Sequence, residues 1–102
     1  MGKKRAVIYP RTAKKLAITG EQIKLARLRR KLTAQDVADR AGIGRTTVTQ
    51  IEKGSPSVSM GMYLTVLSVL GLQDDILLLA KDDVLGRTYQ DLDLKIPRRI
   101  RK

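Results

Sequence analysis

Residues 32–54 constrain the fold of this chain most strongly, because two short helices can be traced there on either side of a glycine turn. Thr33 is a good N-cap residue, and Asp36 three residues later favours the positive end of a helix. The first helix is therefore predicted to begin directly after Thr33. Gly42 tolerates the left-handed backbone of a sharp turn, so we expect the chain to turn there and a second helix to begin at Arg45.

The second of these helices has an apolar face and a polar face. Val48 and Ile51 fall on one face at helical spacing. The other face carries Arg45, Thr46, Thr49, Gln50 and Lys53. An arginine fork matches the two acceptors of guanine, glutamine can pair with adenine, and a threonine methyl can contact the thymine methyl. A polar helix face is more often merely solvated, but this one has the side chains that base reading requires.

The segment resembles the helix-turn-helix of Cro and the phage repressors, the xenobiotic-response-element family. The residues that carry the resemblance stand at the family's spacings without gaps: Thr33, Ala38, Ala41, Gly42, Ile43, Arg45, Thr47, Val48, Ile51, Glu52 and Gly54. The resemblance implies an all-α fold, a five-helix lambda-repressor-like DNA-binding domain with short extended N- and C-terminal segments. It also implies that the second helix of the motif is the recognition helix, which enters the major groove of double-stranded DNA.

Roles for individual residues follow from this resemblance. The implied base contacts are Arg45, Thr46, Thr49 and Gln50, and the implied contacts to the DNA backbone are Thr33, Gln35, Thr47 and Lys53. Ala34 departs from the family pattern, because many members carry there a glutamine that contacts the backbone. Gln35 or Thr33 would have to take over that contact. The family also pairs an arginine at the position of Arg27 with a glutamate at that of Glu52, which implies a structural ion pair between the first helix and the recognition helix.

The charge distribution indicates a polyanionic partner. The 102 residues carry a formal net charge of +11, and residues 1–31 contain eleven Lys and Arg against one acid. Membrane and RNA are alternative polyanions, but a chain with three tyrosines and no other aromatic residue lacks a base-stacking platform. At the N-terminus Lys3, Lys4 and Arg5 could follow phosphates or reach a minor groove, and a solubilising tail is the alternative.

Several classes of function are disfavoured by the composition. The chain has no His and no Cys, which removes the imidazole base, the thiol nucleophile and the ordinary zinc site. We therefore expect no enzyme, no catalytic residue, no metal and no cofactor. No apolar run approaches the 18 or more residues of a membrane span and no signal peptide is visible, so we expect a cytoplasmic protein.

The chain is predicted to divide into a basic N-terminal arm (1–18), a DNA-binding and dimerisation domain (19–81) and a C-terminal extension (82–102). Pro10 should disrupt any long element in the arm. Thr19 with Gln22 has the pattern of a capping box, which predicts a first helix from residue 20 or 21 to about residue 31. In the extension, Gly86 should break helical structure. Residues 90–96 alternate in polarity, which predicts a short strand or an extended partner-binding segment.

Two predicted helices, residues 59–70 and residues 76–81, are too apolar for one small core. We expect this surplus to form a homodimer interface. The predicted interface residues are Met60, Leu64, Leu67, Ile76 and Leu79. A symmetric dimer would bind a palindromic operator.

The function favoured by these patterns is a sequence-specific transcriptional repressor that acts as a homodimer. The chain is also similar to the HipB-like regulators that accompany HipA-type kinase toxins, on shorter stretches at residues 9–11, 70–75 and 97–101. That similarity implies an antitoxin that represses its own operon and binds a HipA-like kinase. The alternatives are a stand-alone phage-type repressor without a toxin partner, and a protein-interaction module that uses the fold only as a scaffold.

Overall fold

The computed structural model describes residues 7–92, which are helical throughout apart from their connections. In chain order the elements are α1 (Pro10–Arg29), α2 (Ala34–Ala41), α3 (Arg45–Glu52), α4 (Met60–Val69), a 3₁₀ helix (Gln73–Leu78) and α5 (Val84–Asp91). Between residues 7 and 92 there is no β-strand. The predicted all-α fold is confirmed. Lys3, Lys4 and Arg5 lie outside the described residues, as does most of the alternating segment at 90–96.

One small core holds α1 to α4 together. Its buried side chains are Ile23, Ala26, Val37, Ala38, Val48, Ile51, Tyr63, Val66 and Leu70. The helices pack α1 on α3, α2 on both α3 and α4, and α4 on the 3₁₀ helix. The core is aliphatic except for Tyr63, whose hydroxyl donates to the carbonyl oxygen of Ser55 at 2.7 Å. That hydrogen bond satisfies the polar end of the ring, which is the usual condition for burying a tyrosine.

Helices α2 to α4 begin where the sequence places them. The Thr33 hydroxyl caps α2, Gly42 ends it with a φ of 71°, and α3 begins at Arg45. The Ser59 hydroxyl accepts from the Met62 amide at 3.2 Å and caps α4. Gly71 follows α4 with a φ of 77°, the left-handed conformation that glycine adopts most readily. Side-chain caps therefore fix the starts of α2 and α4, and a left-handed glycine ends α2, whereas α3 begins after Gly44 without a side-chain cap.

The predicted start of the first helix is wrong. Helix α1 begins at Pro10 and runs for 20 residues, so residues 10–18 of the expected arm are helical. Pro10 occupies the first helical position, where the missing amide hydrogen costs no hydrogen bond and the fixed φ suits the helix. Thr19 caps nothing, because it lies inside the helix and its hydroxyl donates to the carbonyl oxygen of Lys15 at 3.0 Å.

The C-terminal region also differs from its prediction. The element expected at residues 76–81 is a 3₁₀ helix at Gln73–Leu78. Gly86 does not break helical structure, since it lies within α5 and its amide donates to Asp83, the N-cap, at 2.9 Å. Residues 90 and 91 belong to this helix, so the predicted strand cannot begin there. Leu92 is in a turn, and Leu94 and Ile96 lie outside the described residues.

Candidate nucleic-acid interface

A capping box fixes the start of α2. The Asp36 amide donates to the Thr33 hydroxyl oxygen, and the Thr33 amide donates to the Asp36 carboxylate, both at 2.9 Å. The hydrogen bond from the Thr33 amide lowers the pKa of the Asp36 carboxyl below its usual value of 3.8. Two amides that have no partner within the helix are satisfied in this way.

Helix α3, the predicted recognition helix, has one face buried in the core and one face open to solvent. Val48 and Ile51 are fully buried, and they anchor the helix between α1 and α2. The exposed residues are Arg45, Thr46, Thr49, Gln50 and Lys53. Their side chains are thus free to meet a ligand, as a base-reading role requires.

Two of the predicted contact residues already have partners within the chain. The Thr49 hydroxyl donates to the carbonyl oxygen of Arg45 at 3.1 Å, so its methyl group is the part that remains to meet a thymine methyl. The Gln35 side-chain amide donates to the Asp39 carboxylate at 2.8 Å. A contact from Gln35 to a phosphate therefore has to compete with this hydrogen bond. Thr33 is exposed and Thr47 is half-buried.

The predicted ion pair between α1 and α3 is present in the structure. Arg27 donates from Nε to Glu52 Oε2 at 2.6 Å and from Nη2 to Glu52 Oε1 at 2.9 Å. A third bond runs from Arg27 Nη1 to the carbonyl oxygen of Leu32 at 2.9 Å. The two side chains are only 10% and 8% exposed. The hydrogen bond to Glu52 raises the pKa of Arg27, so the arginine stays charged and the pair links α1, α3 and the start of α2.

A close backbone approach joins the same two helices near the end of α3. A Cβ atom added at Gly20 would lie 2.6 Å from both the Gly54 nitrogen and the Ile51 carbonyl oxygen. Gly54 has a φ of 75°, and a Cβ there would collide with the backbone of Leu16 and Ala17. Only glycines allow this crossing, which fixes α1 against the end of the recognition helix.

An open groove of about 340 Å³ lies beside this crossing, between α1 and α3. It is lined by Ala17, Glu21, Lys24, Thr49, Glu52 and Lys53. Neither Glu21 nor Lys24 was predicted from the sequence to lie near the recognition helix. The available signal was the spacing of Lys24 from Arg27, because residues three apart share a helix face and Arg27 was expected to contact Glu52 of α3.

Residues 19–80 match the model of a helix-turn-helix domain family. The chain belongs to this family. It is also similar to an uncharacterized HTH-type transcriptional regulator, y4mF, of Sinorhizobium fredii. The two sequences are 33% identical over 58 residues, which make up 57% of this chain and 76% of the relative. The N-terminal half of α1 and the whole of α5 lie outside the matched family domain.

No helix in residues 7–92 combines the length and apolarity needed to cross a membrane.

Proposed function

We propose that this protein is a sequence-specific DNA-binding transcriptional repressor of the Cro and phage-repressor type. The observation that carries the proposal is the exposed polar face of α3, which is presented by a helix whose other face is buried in the core. The net charge of +11 supports an anionic partner of this kind.

Base contacts are assigned to Arg45, Thr46, Thr49 and Gln50, all of which are exposed. Arg45 is at the first turn of α3, the end that docks on base edges in helix-turn-helix proteins. Contacts to the DNA backbone are assigned to Thr33, Gln35, Thr47 and Lys53, together with Lys3, Lys4 and Arg5 of the N-terminal arm. Base contacts select the sequence, whereas backbone contacts fix the position of the protein on it.

The experiment that tests this function is a gel-shift titration against the DNA upstream of the protein's own gene, with random DNA in parallel. Gln50→Ala should weaken binding to the specific site by about tenfold or more and leave random DNA unaffected, because a good bidentate base contact is worth about 1–3 kcal/mol. Gln73→Ala is the matched control, since Gln73 is also exposed but lies on the 3₁₀ helix. Equal losses on both DNAs would remove Gln50 from the base-reading face.

We further propose that the repressor is a homodimer. Its interface is assigned to Met60, Leu64, Leu67, Ile76 and Leu79. Met60 is 64% exposed, Leu79 is 60% exposed, and neighbouring Leu77 and Leu78 are equally open. Helix α5 buries none of its own residues, although Val84, Leu85 and Tyr89 are apolar. So much exposed apolar surface at one end of a small chain favours a protein-covered interface.

The proposed biological setting is a toxin–antitoxin operon, in which the repressor also binds a HipA-like kinase. Two segments beyond the family domain support a protein partner. Val7 and Tyr9 are 95% and 81% exposed, and the last ten residues add the apolar positions Leu94 and Ile96. Short apolar segments flanked by charge suit docking along a partner's surface.

Co-expression with the product of the neighbouring gene tests the antitoxin role. Full-length protein should retain a HipA-like kinase during purification. Deletion of residues 93–102 should release the kinase while operator binding persists, because this deletion leaves α5 whole. A full-length protein that binds its operator and never retains the neighbour would leave only the stand-alone repressor. Retention of the neighbour without any DNA binding would instead favour the interaction module.

A further inference from the structure

The groove between α1 and α3 has one wall on the recognition helix and one wall on α1. Thr49 and Lys53 stand on the α3 wall, and both also belong to the exposed polar face of that helix. Lys24 and Glu21 stand on the α1 wall. A DNA strand that borders the recognition helix on this side would therefore pass along the groove.

The charges in the groove do not cancel one another. Glu52 is engaged by Arg27 through two hydrogen bonds, of 2.6 and 2.9 Å, so its charge is compensated from behind. Lys24 and Lys53 are both exposed, and within residues 7–92 neither ammonium group has a hydrogen bond or an ion pair. Glu21 is exposed on the rim and is the remaining negative charge.

The glycine crossing fixes the backbone at both lysines. Lys24 lies one helical turn after Gly20, on nearly the same face of α1, and Lys53 directly precedes Gly54. The backbones touch at Gly20 and Gly54, where an added Cβ atom would collide with backbone atoms of the other segment. The lysine Cα positions on the two walls are thus fixed relative to each other before any ligand binds. Such preorganisation lowers the entropic cost of binding.

We propose that the groove holds a backbone phosphate of the DNA strand beside the recognition helix, bound by Lys24 of α1 and by Lys53, which directly follows α3. This inference rests on the proposed DNA-binding function and adds α1 to the DNA interface. A phosphodiester carries the charge and the acceptor oxygens that two ammonium groups can share through charge-assisted hydrogen bonds. The contact positions the protein on DNA and carries no sequence preference.

Titration of salt during binding tests the proposal with two lysines of the same helix. Lys15 is nine residues, or about two and a half turns, before Lys24, so the two exposed lysines lie on opposite faces of α1. Lys24→Gln should weaken binding about two- to fivefold, equally on operator and random DNA, as expected for an exposed ion pair. The slope of log K against log salt should become shallower by about 0.9, the contribution of one phosphate contact. Lys15→Gln should leave both quantities unchanged.

A second variant reverses the sign of the effect. Glu21→Gln removes the negative charge from the rim, so it should strengthen binding to both DNAs, most clearly at low salt where the Debye length is long. The proposal is overturned if wild type binds DNA while Lys24→Gln keeps the wild-type slope. Equal effects of Lys24→Gln and Lys15→Gln would also overturn it. The overall positive charge of α1, rather than a phosphate contact at Lys24, would then explain the weaker binding. A wild-type protein that binds no DNA at any salt concentration overturns the proposed function and this inference together.

Discussion

Gly20 and Gly54 show how single residues fix the contact between α1 and the end of α3. Gly20 is in the middle of α1, where alanine would ordinarily be the better helix former by about 1 kcal/mol. The site nevertheless has no room for a methyl group, because the Gly54 nitrogen and two carbonyl oxygens of α3 would lie 2.6 to 2.7 Å away. These are backbone atoms, which cannot move aside without shifting the recognition helix.

Gly20→Ala is therefore expected to lower the free energy of unfolding by about 2 kcal/mol or more, since overpacking a close contact commonly costs about 1–3 kcal/mol. Gly61→Ala is the matched control. Gly61 is also inside a helix, but the nearest atom to an added Cβ is the Ser59 hydroxyl at 3.8 Å. This control should be neutral or stabilising by up to about 1 kcal/mol. Urea denaturation measures the free energy of unfolding of both variants. A Gly20→Ala protein as stable as wild type would contradict the close backbone contact at Gly20.

Arg27 and Glu52 form the second residue-scale link between α1 and α3. Arg27→Ala should lower the free energy of unfolding by about 3–5 kcal/mol, because it leaves the Glu52 carboxylate buried without its partner. Arg87→Ala is the comparison, since Arg87 and Asp82 form an ion pair at 2.8 Å whose side chains are 57% and 83% exposed. That exposed pair should contribute less than about 1 kcal/mol. Similar losses for both variants in chemical denaturation would contradict a special role for Arg27.

At the scale of the element, sequence predicts a helix well when its ends carry local signals. Thr33 caps α2 and Gly42 ends it, so both boundaries of this helix were predicted correctly from neighbouring residues. The prediction for the start of α1 was wrong because proline has opposite effects at different positions of a helix. Pro10 breaks a helix from within but starts one at the first position, and only the structure distinguishes the two.

Helix α5 and the groove were missed for different reasons. Asp83 is an N-cap signal for α5, but Gly86, three residues later, predicts a break in helical structure, and this prediction is wrong. The exposure of the polar face of α3 could be predicted, because buried Val48 and Ile51 set the opposite face. Its position beside Lys24 could not, since it depends on how α1 crosses α3 rather than on any local pattern.

The capping box of α2 leads to a prediction about pH. The Asp36 carboxylate accepts from the Thr33 amide at 2.9 Å, which holds the pKa of Asp36 in the folded protein below the usual 3.8. The ionised Asp36 carboxylate therefore stabilises the folded protein at pH values above the pKa that Asp36 has in the unfolded chain. This stabilisation is lost as the pH falls through the lower pKa that Asp36 has in the folded protein. Wild type and Asp36→Asn should differ in stability at about pH 5 and converge towards low pH. Thermal melts across this range measure it, and a constant difference would exclude the box as the cause.

At the scale of the whole molecule, the basic residues and most of the large exposed apolar side chains are concentrated in different parts of the chain. Residues 10–31, which form α1 and the two residues after it, are rich in Lys and Arg. Residues 73–92, in contrast, contain five acids and two basic residues. The exposed leucines at 77, 78 and 79 are in this second part, on the 3₁₀ helix and directly after it. A second copy that met the first through residues 60–92 would keep the strongly basic segments of the two copies outside the contact. Such a dimer would leave the basic residues of both subunits available to DNA.

The dimer proposal predicts a specific pair of variants. Leu79→Lys should give a monomer in sedimentation at micromolar concentration, because it places a charge in the proposed interface. Leu28→Lys should remain dimeric, since Leu28 is 49% exposed on α1 and lies outside that interface.

The same two variants should also differ in their affinity for a palindromic site. A symmetric dimer places two recognition helices one helical turn of DNA apart, about 34–36 Å, or a multiple of it, so wild type and Leu28→Lys should bind a palindrome far more tightly than a half-site. Leu79→Lys should lose this advantage and bind palindrome and half-site with similar affinity per site. The half-site affinity itself should be unchanged, because Leu79 is not on the recognition helix. A wild-type monomer that binds one half-site at full affinity would refute the dimer and leave the exposed leucines for a different protein partner.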